Sequence, residues 1–112
     1  MNECRRRVVV TGGSGFIGSH LMDALRARGC NPVNLDVRPP RDGADDGSWI
    51  QIDLADTSQL AQVLNRLEPQ CVIHLAARTE IHGPGAPAFR ENVATTRAVV
   101  ACVNRIPSVE FL

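Results

Sequence analysis

The chain has 112 residues, 44% of them hydrophobic and 21% charged, and its twelve acidic side chains balance its twelve basic ones. This length suits one domain, the composition argues against disorder, and zero net charge provides no bulk attraction to nucleic acid or to an anionic membrane. No apolar run approaches the roughly 20 residues that cross a bilayer, and the first residues lack the apolar core of a signal peptide.

The reactive side chains are few. Four cysteines, at positions 4, 30, 71 and 102, are widely spaced and form no Cys-x-x-Cys pair. We therefore expect free thiols, no metal site and a cytoplasmic location. The chain contains no tyrosine, and all of its basic residues are arginines. A mechanism that needs a phenol or an ammonium group therefore cannot operate on this chain alone.

Strands and helices are predicted to alternate along the first half of the chain. Residues 6–11 contain three consecutive valines, which is the pattern of a strand buried on both faces. Apolar residues at helical spacing predict a helix over residues 16–28, ended by Gly29, and a second strand covers residues 32–36. Prolines, glycines and aspartates then predict a loop over residues 37–48.

The second half continues the same alternation. Residues 49–52 form the third predicted strand. Asp56 has the position of a helix N-cap, and Gln59 completes a capping box before an apolar stripe. The remaining predicted elements are a strand over 71–75, a Gly/Pro-rich connector over 83–87, a helix over 88–104 and the start of a fifth strand over 109–112.

This order of elements predicts a fold. Strands that alternate with helices of this length pair in parallel through right-handed crossovers. We expect an α/β protein with a Rossmann-type doubly wound parallel sheet of strand order 3-2-1-4-5, truncated after strand 5, in one domain over residues 1–112. The change of direction between strands 1 and 4 opens a cleft at their carboxyl ends, where ligands bind in such folds.

The loop after the first strand carries glycines at steps of three residues, in the segment TGGSGFIG. We expect Gly12 to permit the tight turn off the strand and Gly18 to let the helix pack close to the sheet. Gly15 would let a pyrophosphate approach the amides at the helix start, where the dipole favours negative charge. Because no Gly-Lys-Ser/Thr follows, a P-loop for a triphosphate is excluded.

Asp36 ends the second strand, across the predicted cleft from the glycines. A carboxylate there can accept hydrogen bonds from both hydroxyls of an adenosine ribose and would repel a 2′-phosphate, so NAD is preferred over NADP. Arg38 leaves NADP open, because a guanidinium beside the ribose could hold that phosphate. Its other interpretation is a surface arginine that pairs with an acid.

These residues resemble a known family. The segments TGGSGFIGSHL, Asp53-Leu54 and VIHLAA at residues 72–77, together with Asp36, are similar to the extended short-chain dehydrogenase/reductases, above all to nucleotide-sugar epimerases and dehydratases. The resemblance covers nearly the whole chain and specifies the family better than the substrate. It implies that the backbone amides of Phe16 and Ile17 contact the pyrophosphate of bound NAD.

The resemblance also implies roles at the two ends of the cofactor. Asp53 would reach the adenine amino group, and the backbone at Leu54 would help to frame the ring. Leu75, Ala76 and Ala77, which end the fourth strand, would leave room for the ribose and the nicotinamide. Two alanines at the end of a central strand agree with this role, although close helix packing would explain them as well.

Asn92 matches an asparagine that steadies the fourth-strand region near the cofactor, although it could also be an ordinary exposed helix residue. The family usually has glycine where this chain has Thr95, a departure that concerns local helix packing. We interpret His20 and His74 as structural residues. Three residues beyond strand 4 could line the cleft rim or approach a substrate: Arg78, Thr79 and His82.

In that family, catalysis uses a Ser/Thr at the end of the fifth strand and a Tyr-x-x-x-Lys pair on the next helix, whose tyrosine takes a hydroxyl proton while hydride passes to NAD. The chain ends before these residues. We therefore expect a truncated NAD-binding portion of a nucleotide-sugar epimerase or dehydratase, with no catalytic residues and no activity alone. Its exposed strand-5 edge would favour self-association.

Two alternatives to this interpretation stay open. The first is a binding-only module that senses dinucleotides and regulates a partner. The second is a fragment of an NADP-dependent reductase that acts on a carbonyl outside a sugar.

Overall fold

The computed structural model describes residues 7–41, 47–76 and 87–109. Strands and helices alternate through these ranges. In chain order they are β1 (Arg7–Thr11), α1 (Phe16–Ala27), β2 (Asn31–Asp36), β3 (Trp49–Gln51), α2 (Thr57–Leu67), β4 (Cys71–His74) and α3 (Pro87–Val103). Each predicted element up to the third helix is therefore present, with ends that differ from the prediction by one residue in most cases.

The described strands form one parallel sheet in the order β3-β2-β1-β4. This order confirms the predicted α/β architecture and the change of direction between β1 and β4. A fifth strand is not seen in the described residues. Val109 instead follows a turn, where its N–H donates to the Ile106 carbonyl oxygen at 3.2 Å, and residues 110–112 lie outside the described ranges.

The valine run of β1 is buried on both faces of the sheet, as predicted. Val9 packs into an apolar cluster with residues of α2 and α3, whereas Val8 and Val10 pack with Met22 of α1. Alternate side chains of a strand point to opposite faces, so one helix covers one face and two helices cover the other. The packing holds the carboxyl ends of β1, β2 and β4 at one edge of the sheet.

The helix termini carry the predicted caps, but the Asp56 N–H donates to the Asp53 carbonyl oxygen at 2.9 Å, so the Gln59 side chain does not complete a capping box. The Asp56 carboxylate accepts a hydrogen bond from the Gln59 N–H at 3.0 Å and caps α2, and Gly29 adopts a φ of 78° just after α1. Among the described cysteines, one differs from expectation. Cys30 is disulfide-bonded, so the prediction of free thiols is wrong there, whereas Cys71 and Cys102 form no disulfide.

Candidate functional site

The turn between β1 and α1 is held against the ends of β2 and β4. The Gly12 N–H donates to the Leu35 carbonyl oxygen at 2.9 Å, and Gly12 has a φ of 78°. A Cβ at Gly12 would lie 2.7 Å from the backbone nitrogen of Ala76. Both the left-handed conformation and this close approach require glycine, in agreement with the predicted tight turn.

Gly13 and Gly18 are also required for packing. A Cβ on Gly18 would lie 2.8 Å from Cα of Gly13 and closer still to the Gly12 carbonyl oxygen. Helix α1 thus packs close to the glycine loop at the end of β1, and the expectation that Gly18 lets the helix pack close to the sheet stays a prediction. A Cβ on Gly13 would lie 2.5 Å from Oδ1 of Asn34, a close approach that the sequence interpretation missed.

Gly15 differs from the other glycines of the loop. A Cβ there would meet a single atom of the described chain within 4 Å, the Gly12 carbonyl oxygen at 3.3 Å, and the residue is exposed. Its φ of −78° is accessible to any residue. Among the described residues, therefore, packing alone gives only a weak reason for glycine at this position.

The start of α1 is suited to an anion. Gly15 is the N-cap, no side chain of the described residues caps the helix, and its first turn carries no acidic residue. Phe16 and Ile17 are exposed by 67% and 68%. The first amides of a helix lack partners within the helix, and its dipole favours negative charge there. Helix α2 is different, because its own Asp56 occupies the equivalent position.

The Asp36 carboxylate is oriented by backbone amides on both sides. One oxygen accepts from the Ser14 N–H at 3.1 Å, and the other accepts from the Arg38 N–H at 3.0 Å. A carboxylate has about four lone-pair sites, so each oxygen retains acceptor capacity for a further donor. The half-buried Asp36 therefore lies beside the helix start and can still bind hydroxyl groups.

A network around Ser14, which the sequence interpretation missed, supports this carboxylate. The Ser14 hydroxyl donates to the Arg38 carbonyl oxygen at 2.8 Å and accepts from Nδ2 of Asn34 at 2.9 Å. Asn34 is 2% exposed, and its Oδ1 finds no hydrogen-bond partner among the described residues. Ser14, Asn34, Asp36 and Arg38 are hereafter called the Ser14 network. The signal available in the sequence for Asn34 was a polar residue between Val33 and Leu35 of the predicted second strand.

Two aromatic side chains border the site. The indole N–H of Trp49 donates to the Asp36 carbonyl oxygen at 2.9 Å, which ties β3 to the end of β2. The Arg41 guanidinium lies 5.6 Å from the centroid of the Phe16 ring, and His20 packs edge-on to the same ring with centroids 5.0 Å apart. The structure thus places the Arg41 guanidinium near the open helix start.

The end of β4 faces the glycine loop. Leu75 is 37% exposed and Ala76 is half-buried, and both lie against Gly12. The Thr11 hydroxyl oxygen lies within hydrogen-bonding distance of both of their amides, at 3.1 and 3.2 Å. The predicted site residue Ala77, and the rim candidates at positions 78, 79 and 82, lie outside the described residues.

The remaining predicted residues are spread around this centre. Asp53 is exposed and accepts from the Ala55 N–H at 2.9 Å in the turn before α2, and Leu54 is a core residue with 8% exposure. The Ile52 N–H donates to the Asp36 carbonyl oxygen at 3.3 Å, which brings this segment to the site. Asn92 is half-buried on α3.

The structure therefore brings together the glycine loop, Asp36, Arg38 and residues 75–76. Among the described residues, no group of three or more His, Cys, Asp or Glu side chains could hold a metal ion. In the same residues, no helix combines the length and the apolar character needed to cross a membrane.

Comparison with known proteins places this geometry in context. Residues 8–112 match the family described as NAD dependent epimerase/dehydratase. The chain is 31% identical over 108 residues to dTDP-glucose 4,6-dehydratase from Xanthomonas campestris, a match that covers 85% of this chain and 30% of that protein. The chain spans about a third of the length of the curated relatives it matches.

Solved structures show the same architecture. UDP-glucose 4-epimerase from Thermus thermophilus, crystallised in complex with NAD, is 27% identical with a TM-score of 0.81 over 94% of this chain and 36% of that one. L-threonine 3-dehydrogenase from Trypanosoma brucei is 27% identical with a TM-score of 0.82, over 95% of this chain and 35% of that one.

Proposed function

The chain belongs to the NAD dependent epimerase/dehydratase family, and from this membership we propose that it is the NAD-binding portion of a nucleotide-sugar epimerase or dehydratase. The observation that carries the proposal is the open start of α1 beside the Asp36 carboxylate. Ser14, whose N–H bonds to Asp36, directly precedes Gly15, the N-cap that leaves the helix start uncovered. An anionic group and a sugar diol could therefore be bound side by side, as a dinucleotide requires.

The pyrophosphate would be held by the glycine loop. The amides of Phe16 and Ile17 lie in the first turn of α1, and the missing Cβ of Gly15 allows a phosphate to approach them. The Arg41 guanidinium near the Phe16 ring adds positive charge on the same side. Gly12 and Gly18 contribute by fixing the shape of the loop.

The adenosine ribose would be bound by Asp36. Its two oxygens are fixed by the Ser14 and Arg38 amides, and their remaining lone pairs can accept from the two ribose hydroxyls. A 2′-phosphate would meet the same carboxylate and be repelled, so NAD is favoured over NADP. The exposed guanidinium of Arg38 is the feature that would reverse this preference.

Further residues would contact the two ends of the cofactor. We assign Asp53 and the Leu54 backbone to the adenine, because Ile52 connects this segment to Asp36. The nicotinamide end would lie along Leu75, Ala76 and Ala77, which follow β4, and the two alanines would leave room for it. Asn92 would support this wall from α3.

In the complete protein, bound NAD would accept hydride from a sugar hydroxyl of a nucleotide-sugar substrate. The proton acceptor that this step needs is a tyrosine paired with a lysine in the family, and this chain contains neither residue type. We therefore assign cofactor binding alone to the 112 residues and expect no turnover by them. A steady-state assay in which the purified chain converts a sugar nucleotide would refute this assignment.

Two other functions share the same site. A binding-only module would retain NAD affinity without any catalytic partner segment, and the reading frame beyond Leu112 distinguishes it from the enzyme. An NADP-dependent reductase would use Arg38 in place of Asp36. The similarity to L-threonine 3-dehydrogenase, a protein not named for a sugar nucleotide, keeps a non-sugar substrate as the second candidate.

Location and assembly stay predictions. A cytoplasmic location is worth testing by fractionation, because disulfides such as that of Cys30 are uncommon in reducing compartments. Self-association through an exposed sheet edge would appear in sedimentation velocity as a mass that rises with concentration.

The proposal is tested by titrating the purified chain with NAD and with NADP in a calorimeter. We expect NAD to bind at least about tenfold more tightly than NADP, and Asp36→Asn to remove most of that difference. Asp23→Asn is the matched control, because Asp23 lies on the exposed surface of α1 and pairs with Arg26. NADP binding tenfold more tightly to the unmutated chain would refute the assignment of Asp36.

A further inference from the structure

A chain of hydrogen bonds runs from Thr11 on β1 through His74 on β4 to Thr96 on α3, next to the proposed cofactor cleft. The Thr11 hydroxyl oxygen lies 2.6 Å from Nδ1 of His74, 3.1 Å from the Leu75 nitrogen and 3.2 Å from the Ala76 nitrogen. On the far side of the ring, Nε2 of His74 lies 3.2 Å from the hydroxyl oxygen of Thr96 on α3. Thr11 itself is 1% exposed, so within this network water cannot easily replace a missing partner.

The donors and acceptors of this chain can be assigned by counting. A hydroxyl has one proton and two lone pairs, whereas a backbone N–H can only donate. The Ala76 amide therefore occupies one lone pair of the Thr11 hydroxyl oxygen, and the Leu75 amide, which is shared with the Thr11 carbonyl oxygen at 2.9 Å, occupies the other. The hydroxyl proton is left for the third neighbour, Nδ1 of His74, which must then be an acceptor without a proton.

The protonation state of His74 follows from this count. With Nδ1 as an acceptor, the neutral ring carries its proton on Nε2, which donates to Thr96. A doubly protonated ring would direct a proton at an oxygen whose lone pairs are both in use. Burial lowers the pKa of His74 below its ordinary value, which agrees with a neutral ring.

We propose that His74 is a positioning residue, whose Nε2–H tautomer orients the Thr11 hydroxyl so that it holds the backbone of Leu75 and Ala76 and links that backbone to α3 through Thr96. The tautomer and the backbone restraint stand on the contacts alone. The consequence for NAD rests on the proposed function, because residues 75–76 form the wall that we assign to the nicotinamide end. The same backbone abuts Gly12, so displacement of this wall would also disturb the glycine loop.

The first part of the test needs no cofactor. Two-dimensional ¹H–¹⁵N spectra of the histidine ring report which nitrogen carries the proton, and we expect the Nε2–H form for His74 in the folded chain. Thr11→Val should accelerate hydrogen exchange of the Ala76 amide by about fivefold to tenfold, because that amide loses its side-chain acceptor, whereas Thr11→Ser should leave it close to wild type. An Nδ1–H tautomer, or equal exchange in all three chains, would overturn the proposal.

The second part uses two substitutions at His74. His74→Asn retains an acceptor near the position of Nδ1, and His74→Phe retains the ring shape without an acceptor. We expect His74→Phe to accelerate Ala76 exchange and weaken NAD binding by about fivefold to tenfold, and His74→Asn to restore most of both. Equal behaviour of the two variants would overturn the proposal. Should His74→Phe fail to fold, the wild-type tautomer and the exchange rates of His74→Asn decide alone.

The two proposals can fail separately. If the wild-type chain binds no NAD, the proposed function fails while the tautomer and exchange results still judge the role of His74. If NAD binds and the exchange rates do not depend on the acceptor at position 74, the role of His74 fails and the proposed function stands.

Discussion

Removal of a single hydroxyl, by Ser14→Ala, should destabilise the chain far more than an ordinary serine substitution. The Ser14 hydroxyl accepts from Asn34, which is 2% exposed, and donates to the Arg38 carbonyl oxygen. Oδ1 of Asn34 has no partner among the described residues. Ser14→Ala therefore removes the hydrogen bond that the structure shows for the side-chain amide of Asn34. A buried polar group left without a partner costs about 1–3 kcal/mol, and the Arg38 bond adds about 1 kcal/mol.

The expected loss in free energy of unfolding is therefore about 2–4 kcal/mol, a large part of the stability of a typical domain. The matched control is Ser19→Ala. The Ser19 hydroxyl donates to the Phe16 carbonyl oxygen at an exposed site within α1. Because alanine is also the better helix former, this substitution should change stability by less than about 0.5 kcal/mol.

The free energy of unfolding of both variants is measured by urea denaturation, followed by tryptophan fluorescence. Trp49 is the only tryptophan of the chain, and its indole bonds to the Asp36 carbonyl oxygen, so its fluorescence reports on the end of β2. Circular dichroism recorded on the same samples checks that the transition is two-state. A loss below about 0.5 kcal/mol for Ser14→Ala would refute the role of the Ser14 network.

A double-mutant cycle separates the Asn34 contact from other effects of Ser14. In an Asn34→Val chain the amide that needs the hydroxyl is gone, so Ser14→Ala should cost only about 1 kcal/mol. An unchanged cost in that background would mean that the destabilisation has another origin.

Three further effects are expected. Gly18→Ala should cost about 3 kcal/mol or more in urea unfolding, because its Cβ would overlap backbone atoms of Gly12 and Gly13, which cannot move independently. Asp56→Ala should cost about 1 kcal/mol and fray the start of α2, seen as faster exchange of the Gln59 amide. His74 has a folded-state pKa below 6.5, so its contribution to stability is fully present above pH 6.5 and is lost as the pH falls through the folded-state value. His74→Asn should make the free energy of unfolding less dependent on pH in this range. An unchanged pH dependence in this variant would contradict the lowered pKa of His74.

The sheet could be predicted because its signals are local. The three valines of β1 lie on a strand covered on both faces, and such a strand is apolar throughout. The Asp56 N-cap of α2 and the turn at Gly12 likewise depend on neighbours within a few residues. The fifth strand could not be checked in the same way, because Val109 is the only one of its predicted residues that the structure describes.

The interior of the site was harder to predict because its contacts are distant in sequence. Ser14 and Asn34 are 20 positions apart in the sequence, and Thr11 and His74 are 63 apart, so only the folded sheet brings each pair together. Sequence patterns identified His74 as structural, and the structure shows which atoms it binds. The pairing of Cys30 was missed for the same reason, since spacing alone does not reveal a disulfide.

The most direct test of NAD binding at the glycine loop is an NMR titration of the wild-type chain and of Gly15→Ala. A Cβ at Gly15 would lie 3.3 Å from the Gly12 carbonyl oxygen, a contact that needs a shift of a few tenths of an ångström, and it would stand between a phosphate and the helix amides. The variant should therefore fold and bind NAD about tenfold to a hundredfold more weakly. In the wild type, NAD should shift the amide signals of residues 12–18 and of Asp36 before those of the rest of the chain. NAD binding of equal strength in both chains, or shifts confined to other residues, would contradict the account.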